Sequence, residues 1–91
     1  MIAKTSTSMK ISIRYFASVR EALSRSGESV ETHAETLAAL RDELIGRGSP
    51  YAEALARGKA VRMALDQVMS AESAALVEGA EVAFFPPVTG G

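Results

Sequence analysis

The sequence contains no cysteine. That absence removes disulfide scaffolds, cysteine-ligated zinc, iron–sulfur clusters and thiol nucleophiles together. Histidine is nearly missing as well: His33 stands alone, so it cannot build a multi-histidine metal site and would be the sole candidate base of any hydrolytic triad. Neither sign of charge dominates, with ten Lys and Arg against eleven Asp and Glu for a net charge of −1. A basic face able to neutralise many phosphates is not expected, and neither is nucleic acid as a partner. No apolar run approaches the roughly 18 residues of a membrane span. The opening MIAKTSTS carries a lysine but no hydrophobic stretch of signal-peptide length, so a cytoplasmic chain with no membrane partner is expected. A Gly-rich phosphate loop with its lysine is missing, and Asp66, Glu72, Glu78 and Glu81 read as surface charge without the pairing that acid–base catalysis needs. No metal or cofactor is expected to be bound by this chain, and ordinary enzyme chemistry is poorly supplied.

What is present suffices for one small domain. With 91 residues, 47% hydrophobic and 23% charged, the chain has the composition of a folded globular protein and room for a single core. Residues 1–8, mostly Ser, Thr and small side chains, read as a flexible N-terminal extension. From Met9 the pattern MKISIRYF puts Ile11, Ile13 and Tyr15 on one face against Lys10, Ser12 and Arg14 on the other, a half-buried strand, with Phe16 off-phase. Ser18 and Glu21 form a capping-box pattern that predicts a short helix over 19–25 ended by Gly27. Glu28 to His33 alternates around Val30, giving a second strand antiparallel to the first, with His33 structural or exposed.

Thr36 caps a main helix in which Leu37, Leu40, Leu44 and Ile45 recur at helical spacing and Arg41, Asp42 and Glu43 fall on the solvent side, until Gly46 and Gly48 stop it. Ser49 and Pro50 predict an N-cap and first turn for a brief helix over 50–57, before Gly58. Lys59 to Leu65 alternates as a strand, Val68 and Met69 as another short one, and Glu81 to Phe85 as the last, while 70–78 stays ambiguous. The fold class is therefore α+β: a mixed sheet of four to five strands packed on one main helix, spanning 9–85.

The final PPVTGG, residues 86–91, follows that last strand without a charged side chain. Pro86 and Pro87 favour a stiff extended path, and six extended residues reach roughly 20 Å. Gly90 and Gly91 leave only backbone, which suits a narrow channel in a partner and chemistry at a terminal carboxylate. Coupled to AMP, that carboxylate becomes a mixed anhydride open to a sulfur or nitrogen nucleophile, a step for another protein to catalyse.

EVAFFPPVTGG at 81–91 resembles the C-terminus of the small subunit of molybdopterin synthase, a family of ubiquitin-like sulfur carriers. The likeness extends to IRYFASVRE at 13–21, ALRDEL at 39–44, Gly58 with Lys59, and EGAEVAFF at 78–85. The resemblance implies a β-grasp fold and a non-catalytic, sulfur-donating role. In that scheme an E1-like adenylyltransferase uses ATP to activate Gly91, and a donor such as a cysteine desulfurase or rhodanese supplies sulfur for a thiocarboxylate. Val88, Thr89, Gly90 and Gly91 then enter the large, catalytic synthase subunit, where sulfur passes to cyclic pyranopterin monophosphate to build the molybdopterin dithiolene. Phe16, Met69 and Phe85, with Pro86 and Pro87, are the expected partner interface, Phe16 and Phe85 because they lie off-phase from the core residues. Core packing remains the alternative for Phe16, Met69 and Phe85, as capping does for Glu21 and a solvated turn for Lys59. Other functional readings are a carrier for thiamine or another metabolite, and a β-grasp interaction module or modifier joined to lysines through Gly91.

Overall fold

A computed structural model describes residues 8–56 and 58–87 of the chain. The expectations that fall on residues 1–7 and on Val88, Thr89, Gly90 and Gly91 lie outside the described residues. Five strands and three helices follow in the order β1 (Met9–Tyr15), α1 (Ala17–Leu23), β2 (Gly27–Thr32), α2 (Leu37–Ile45), α3 (Tyr51–Ala54), β3 (Arg62–Leu65), β4 (Val68–Met69) and β5 (Glu81–Phe85).

The strands form one mixed sheet in the spatial order β2-β1-β5-β3-β4. β1 runs antiparallel to β2 and parallel to β5, and β5 runs antiparallel to β3. Alternation decides the faces: Ile11, Ile13 and Tyr15 of β1 and Val82 and Phe84 of β5 are buried, their neighbours less so. The buried face is closed by Leu37, Leu40 and Leu44 of α2, Val19 and Leu23 of α1, and Tyr51 and Ala54 of α3. The rings of Tyr15 and Phe84 stack at its centre with centroids 6.1 Å apart and planes 18° from parallel. Each fully buried side chain of this kind contributes about 1.5–3 kcal/mol.

Helix α2 starts as its sequence indicates, with Thr36 Oγ1 accepting from the Ala39 N–H at 3.1 Å. Two more of its otherwise orphaned N–H groups are satisfied from the ambiguous segment: Leu37 donates to the Ala74 carbonyl at 3.1 Å and Ala38 to Glu72 at 2.8 Å. Residues 70–76 therefore stay outside regular structure because their carbonyls serve the helix end, and Thr36 pairs with Ala75 as an isolated bridge.

Five local expectations are corrected. Arg41 does not face solvent: it is buried at 3% exposure, because α3 and the loops on either side of the β3–β4 hairpin close over that flank of α2. The Ser18–Glu21 box does not cap α1. The Phe16 N–H is held by the Phe84 carbonyl at 3.1 Å, the helix starts directly behind it, and Ala17 takes a left-handed φ of 52° to make the turn. Ser24, also left-handed, ends α1 ahead of the predicted boundary, and Gly27 instead opens β2, where an added Cβ would lie 2.6 Å from the Ile13 carbonyl oxygen. Finally, Pro50 takes the N-cap position of a shorter α3, Ser49 donating its hydroxyl hydrogen to Glu53 instead, and β3 begins only at Arg62 because Lys59–Val61 form a turn.

Candidate functional site

The face of the sheet away from the helices carries the residues left over by the core. Register fixes their arrangement. In one row Phe16, which continues β1, stands beside Phe85 of β5, and Phe85 pairs with Arg62 of β3. In the next, Arg14 pairs with Ala83, Ala83 with Ala64, and Ala64 with Met69. A third row sets Ser12 against Glu81. Phe16 is 44% exposed and Met69 57%, while Phe85 is half-buried.

Phe16 and Phe85 are thus strand neighbours, and Met69 lies one row below and two strands over, across a floor made by Ala83 and Ala64. Large apolar side chains at the rim of a small-residue floor form a surface that a partner can approach closely. Arg14 lies over the Phe16 ring, its guanidinium carbon 5.8 Å from the centroid, and faces Glu81 at 3.6 Å, a solvated pair of small energetic worth. With Arg62 on the other side, cations flank the end of β5. The roles of Arg14, Arg62, Ala64 and Ala83 were not assigned from sequence, although the alternation that exposes Phe16 and Phe85 puts Arg14 and Ala83 on the same face.

β5 leads into Pro86 and Pro87, both half-buried. Pro86 lies on a groove lined by Ser18, Val19 and Ala22 of α1, Ala54 of α3, and Lys59. The exposed Lys59 and the buried Val19 show the character of the groove: an apolar bed with a charged rim. Pro86 and Pro87 thus continue from the end of an inner strand, beside the Phe16–Phe85 row.

The most strongly perturbed groups lie on the other side of the sheet. Tyr15 and Tyr51 both donate to Glu28 Oε2 at 2.7 Å, and Arg25 and Arg47 approach Oε1 at 3.1 and 3.3 Å. Burial pushes the Glu28 carboxyl up, but the hydrogen bonds from Tyr15, Tyr51 and Arg47 outweigh it and hold it below the ordinary glutamate value. Burial, and then the bond to Glu28, drive the Tyr15 hydroxyl far above a normal tyrosine. Arg47 lies 5.0 Å from the centre of the Tyr51 ring. The arrangement ties α3 and the end of α2 to β1 and β2, and its donors and acceptors are consumed in doing so; it offers no free acid or base. Among the described residues no cluster of three or more His, Cys, Asp or Glu is placed to hold a metal ion, and no helix is long and apolar enough to cross a membrane.

These features can be compared with known proteins. The molybdopterin synthase sulfur carrier subunit of Haemophilus influenzae is 36% identical over 81 residues, 89% of this chain and 99% of that protein. Its namesake in Escherichia coli K12 is 38% identical over the same shares. Among solved structures, a putative molybdopterin converting factor subunit 1 from Pyrococcus furiosus superposes with a TM-score of 0.72 at 22% identity, covering 88% of this chain and 99% of that one. Subunit 1 and 2 of the molybdopterin-converting factor of Helicobacter pylori have been solved as a complex, to which this chain matches with a TM-score of 0.63 at 23% identity over 91% of its length and 100% of the matched chain. These likenesses establish the ubiquitin-like β-grasp fold that the mixed sheet and crossing helix already describe. The ThiS family profile matches residues 13–91, from the middle of β1 through Pro86 and Pro87 to the last glycine, and the chain belongs to the ThiS family.

Proposed function

We propose that this chain is a sulfur carrier, the small subunit of a two-protein molybdopterin synthase, and that it works in the cytoplasm. The observation that carries the reading is the 36–38% identity to sulfur carrier subunits across 99% of their length. The groups that a carrier needs are few. A carboxylate at Gly91 attacks ATP on an E1-like adenylyltransferase, giving an acyl adenylate and pyrophosphate. The terminal sulfur of a persulfide on a donor such as a cysteine desulfurase or rhodanese then displaces AMP to give an acyl disulfide. A thiol reductant cleaves its S–S bond, leaving a thiocarboxylate on Gly91 and a disulfide between the reductant and the donor cysteine. ATP belongs to the partner, and this chain holds no cofactor. Val88, Thr89 and Gly90 thread the active site of the large subunit so that Gly91 delivers sulfur to cyclic pyranopterin monophosphate, two deliveries completing the dithiolene.

The β-grasp domain contributes presentation. Phe16, Phe85 and Met69 dock on the large subunit, and Pro86 and Pro87 stiffen the path from the docked sheet into the channel, so that less conformational freedom is lost on entry. Incubated with the adenylyltransferase, ATP and a sulfur source, the chain is expected to exchange one oxygen for sulfur at Gly91, read by intact mass and fragmentation. Deleting Gly91 should abolish transfer while leaving the fold and large-subunit binding in place. An unchanged mass beside an active adenylyltransferase, or molybdopterin formation by the deletion variant, would overturn the reading.

A further inference from the structure

Arg41 is the one charged side chain among the described residues that is buried, at 3% exposure. Its guanidinium spends its planar fork of donors on main chain and one carboxylate. Nε donates to the Leu55 carbonyl at 2.8 Å, one terminal nitrogen to Ala56 at 2.7 Å and Lys59 at 3.1 Å, and the other to Glu72 Oε2 at 2.8 Å. Lys59 lies three residues before Arg62, where β3 begins, and Glu72 three residues after Met69, where β4 ends. One side chain on α2 therefore grips both stems of the β3–β4 hairpin.

That hairpin carries Arg62, Ala64 and Met69 of the open face. β3 is also fixed by its ladder with β5, but β4 is a two-residue edge strand, held to β3 by the pairs Ala64–Met69 and Leu65–Val68 and by the Ser70 N–H to the Met63 carbonyl at 3.1 Å. Beyond β4 the chain first meets α2 at Glu72, whose side chain accepts from Arg41 and whose carbonyl accepts from the Ala38 N–H. A leucine at position 41 would meet the demand for burial but would leave these stems without a common anchor. In some proteins a buried ionic group fixes one arrangement without adding net stability over an apolar residue of similar volume.

We infer that Arg41 is a positioning residue for the docking face: by holding both stems of the β3–β4 hairpin against α2 it sets where Met69 stands relative to the Phe16–Phe85 row, and so the fit to the large subunit. The inference rests on the reading of the open face as the docking surface. Lysine at position 41 keeps the charge but, as a compact ammonium, cannot span the same partners. Glu72→Ala removes only the side-chain grip on the exit stem, leaving the bond from the Ala38 N–H to the main-chain carbonyl of residue 72.

The test is to compare Arg41→Lys and Glu72→Ala with the parent chain by methyl NMR of the methionines and by titration with the molybdopterin synthase large subunit. The Met69 methyl is expected to shift while that of Met9, on β1, holds. Affinity should fall about tenfold for Arg41→Lys and about threefold for Glu72→Ala, and in a Met69→Ala background each loss should shrink to less than about twofold. A role confined to stability would lower the melting temperature without this coupling to Met69. Should Arg41→Lys not fold, Glu72→Ala carries the test, since it leaves the three carbonyl contacts intact. A folded variant whose Met69 methyl does not move, or whose loss of affinity persists undiminished without Met69, overturns the inference. If the parent chain itself fails to bind the large subunit, the docking reading fails, and the methyl shifts still decide whether Arg41 positions the hairpin.

Discussion

Two pairs of consecutive aromatics, Tyr15–Phe16 and Phe84–Phe85, cross the sheet side by side, and each pair points one ring into the core and one out of it. Tyr15 and Phe84 are fully buried and stacked, whereas Phe16 is 44% exposed and Phe85 half-buried. The chemistry within each pair is nearly the same, so the difference in use comes from the period of the strand alone. A sheet covered by helices on one side can stabilise the fold with one set of residues and hold the other set for a partner.

Substitution can separate the two sets. Phe84→Ala should cost about 3–5 kcal/mol of folding stability by opening a cavity under α2, measurable by chemical denaturation. Phe85→Ser should cost less than about 1.5 kcal/mol but weaken large-subunit binding at least tenfold. Equal stability losses for the two phenylalanines would erase the division between the faces.

A smaller effect sharpens the core side of the comparison. Because Glu28 is held below its ordinary value in the folded chain, its contribution to stability is fully present above the unfolded glutamate value near 4.5 and is lost as pH falls through the lower folded-state value. Glu28→Gln should therefore be less stable than the parent at neutral pH, with the gap closing as the solution is acidified below about pH 4.5. Denaturation curves that stay equally far apart from neutral pH down to acid would show that hydrogen-bond geometry, and not the charge on Glu28, ties α3 to the sheet.

The smallest effect lies at the edge of the open face. Asp66 and Gln67 form the two-residue turn between β3 and β4 with φ of 50° and 70°, both left-handed. Glycine accepts that region without steric cost, so Gln67→Gly should raise stability by about 0.5 kcal/mol while leaving partner binding unchanged. A fall in melting temperature would mean that the Gln67 side chain contributes more than its backbone strain costs.

Much of the fold could be read in the sequence wherever one local rule acted alone. β1 and β5 were legible because each has one closed face, and α2 because Thr36 and the leucine spacing agree. The misreadings share one physical cause, a distant partner overriding a local pattern. Arg41 falls on a polar stripe of the helical wheel, but its partners lie 14 to 31 residues away. Ser18 and Glu21 have the right spacing for a cap, yet pairing between Phe16 and Phe84 starts the helix earlier. Residues 70–76 carry no period because they answer to the first turn of α2. For the candidate site, the off-phase aromatics were visible and their adjacency was not, since only the register of the parallel β1–β5 pair brings Phe16 beside Phe85.

The position of β5 inside the sheet has a mechanical consequence. Its C-terminal continuation leaves from a strand bonded on both sides, to β1 in parallel and to β3 in antiparallel. Tension applied along that continuation loads the two ladders in shear, so their hydrogen bonds resist together. An edge strand pulled sideways would instead yield bond by bond, like a zip. Under the proposed function, in which the chain end is drawn into and out of a partner's channel, the domain is anchored where traction is least able to unravel it.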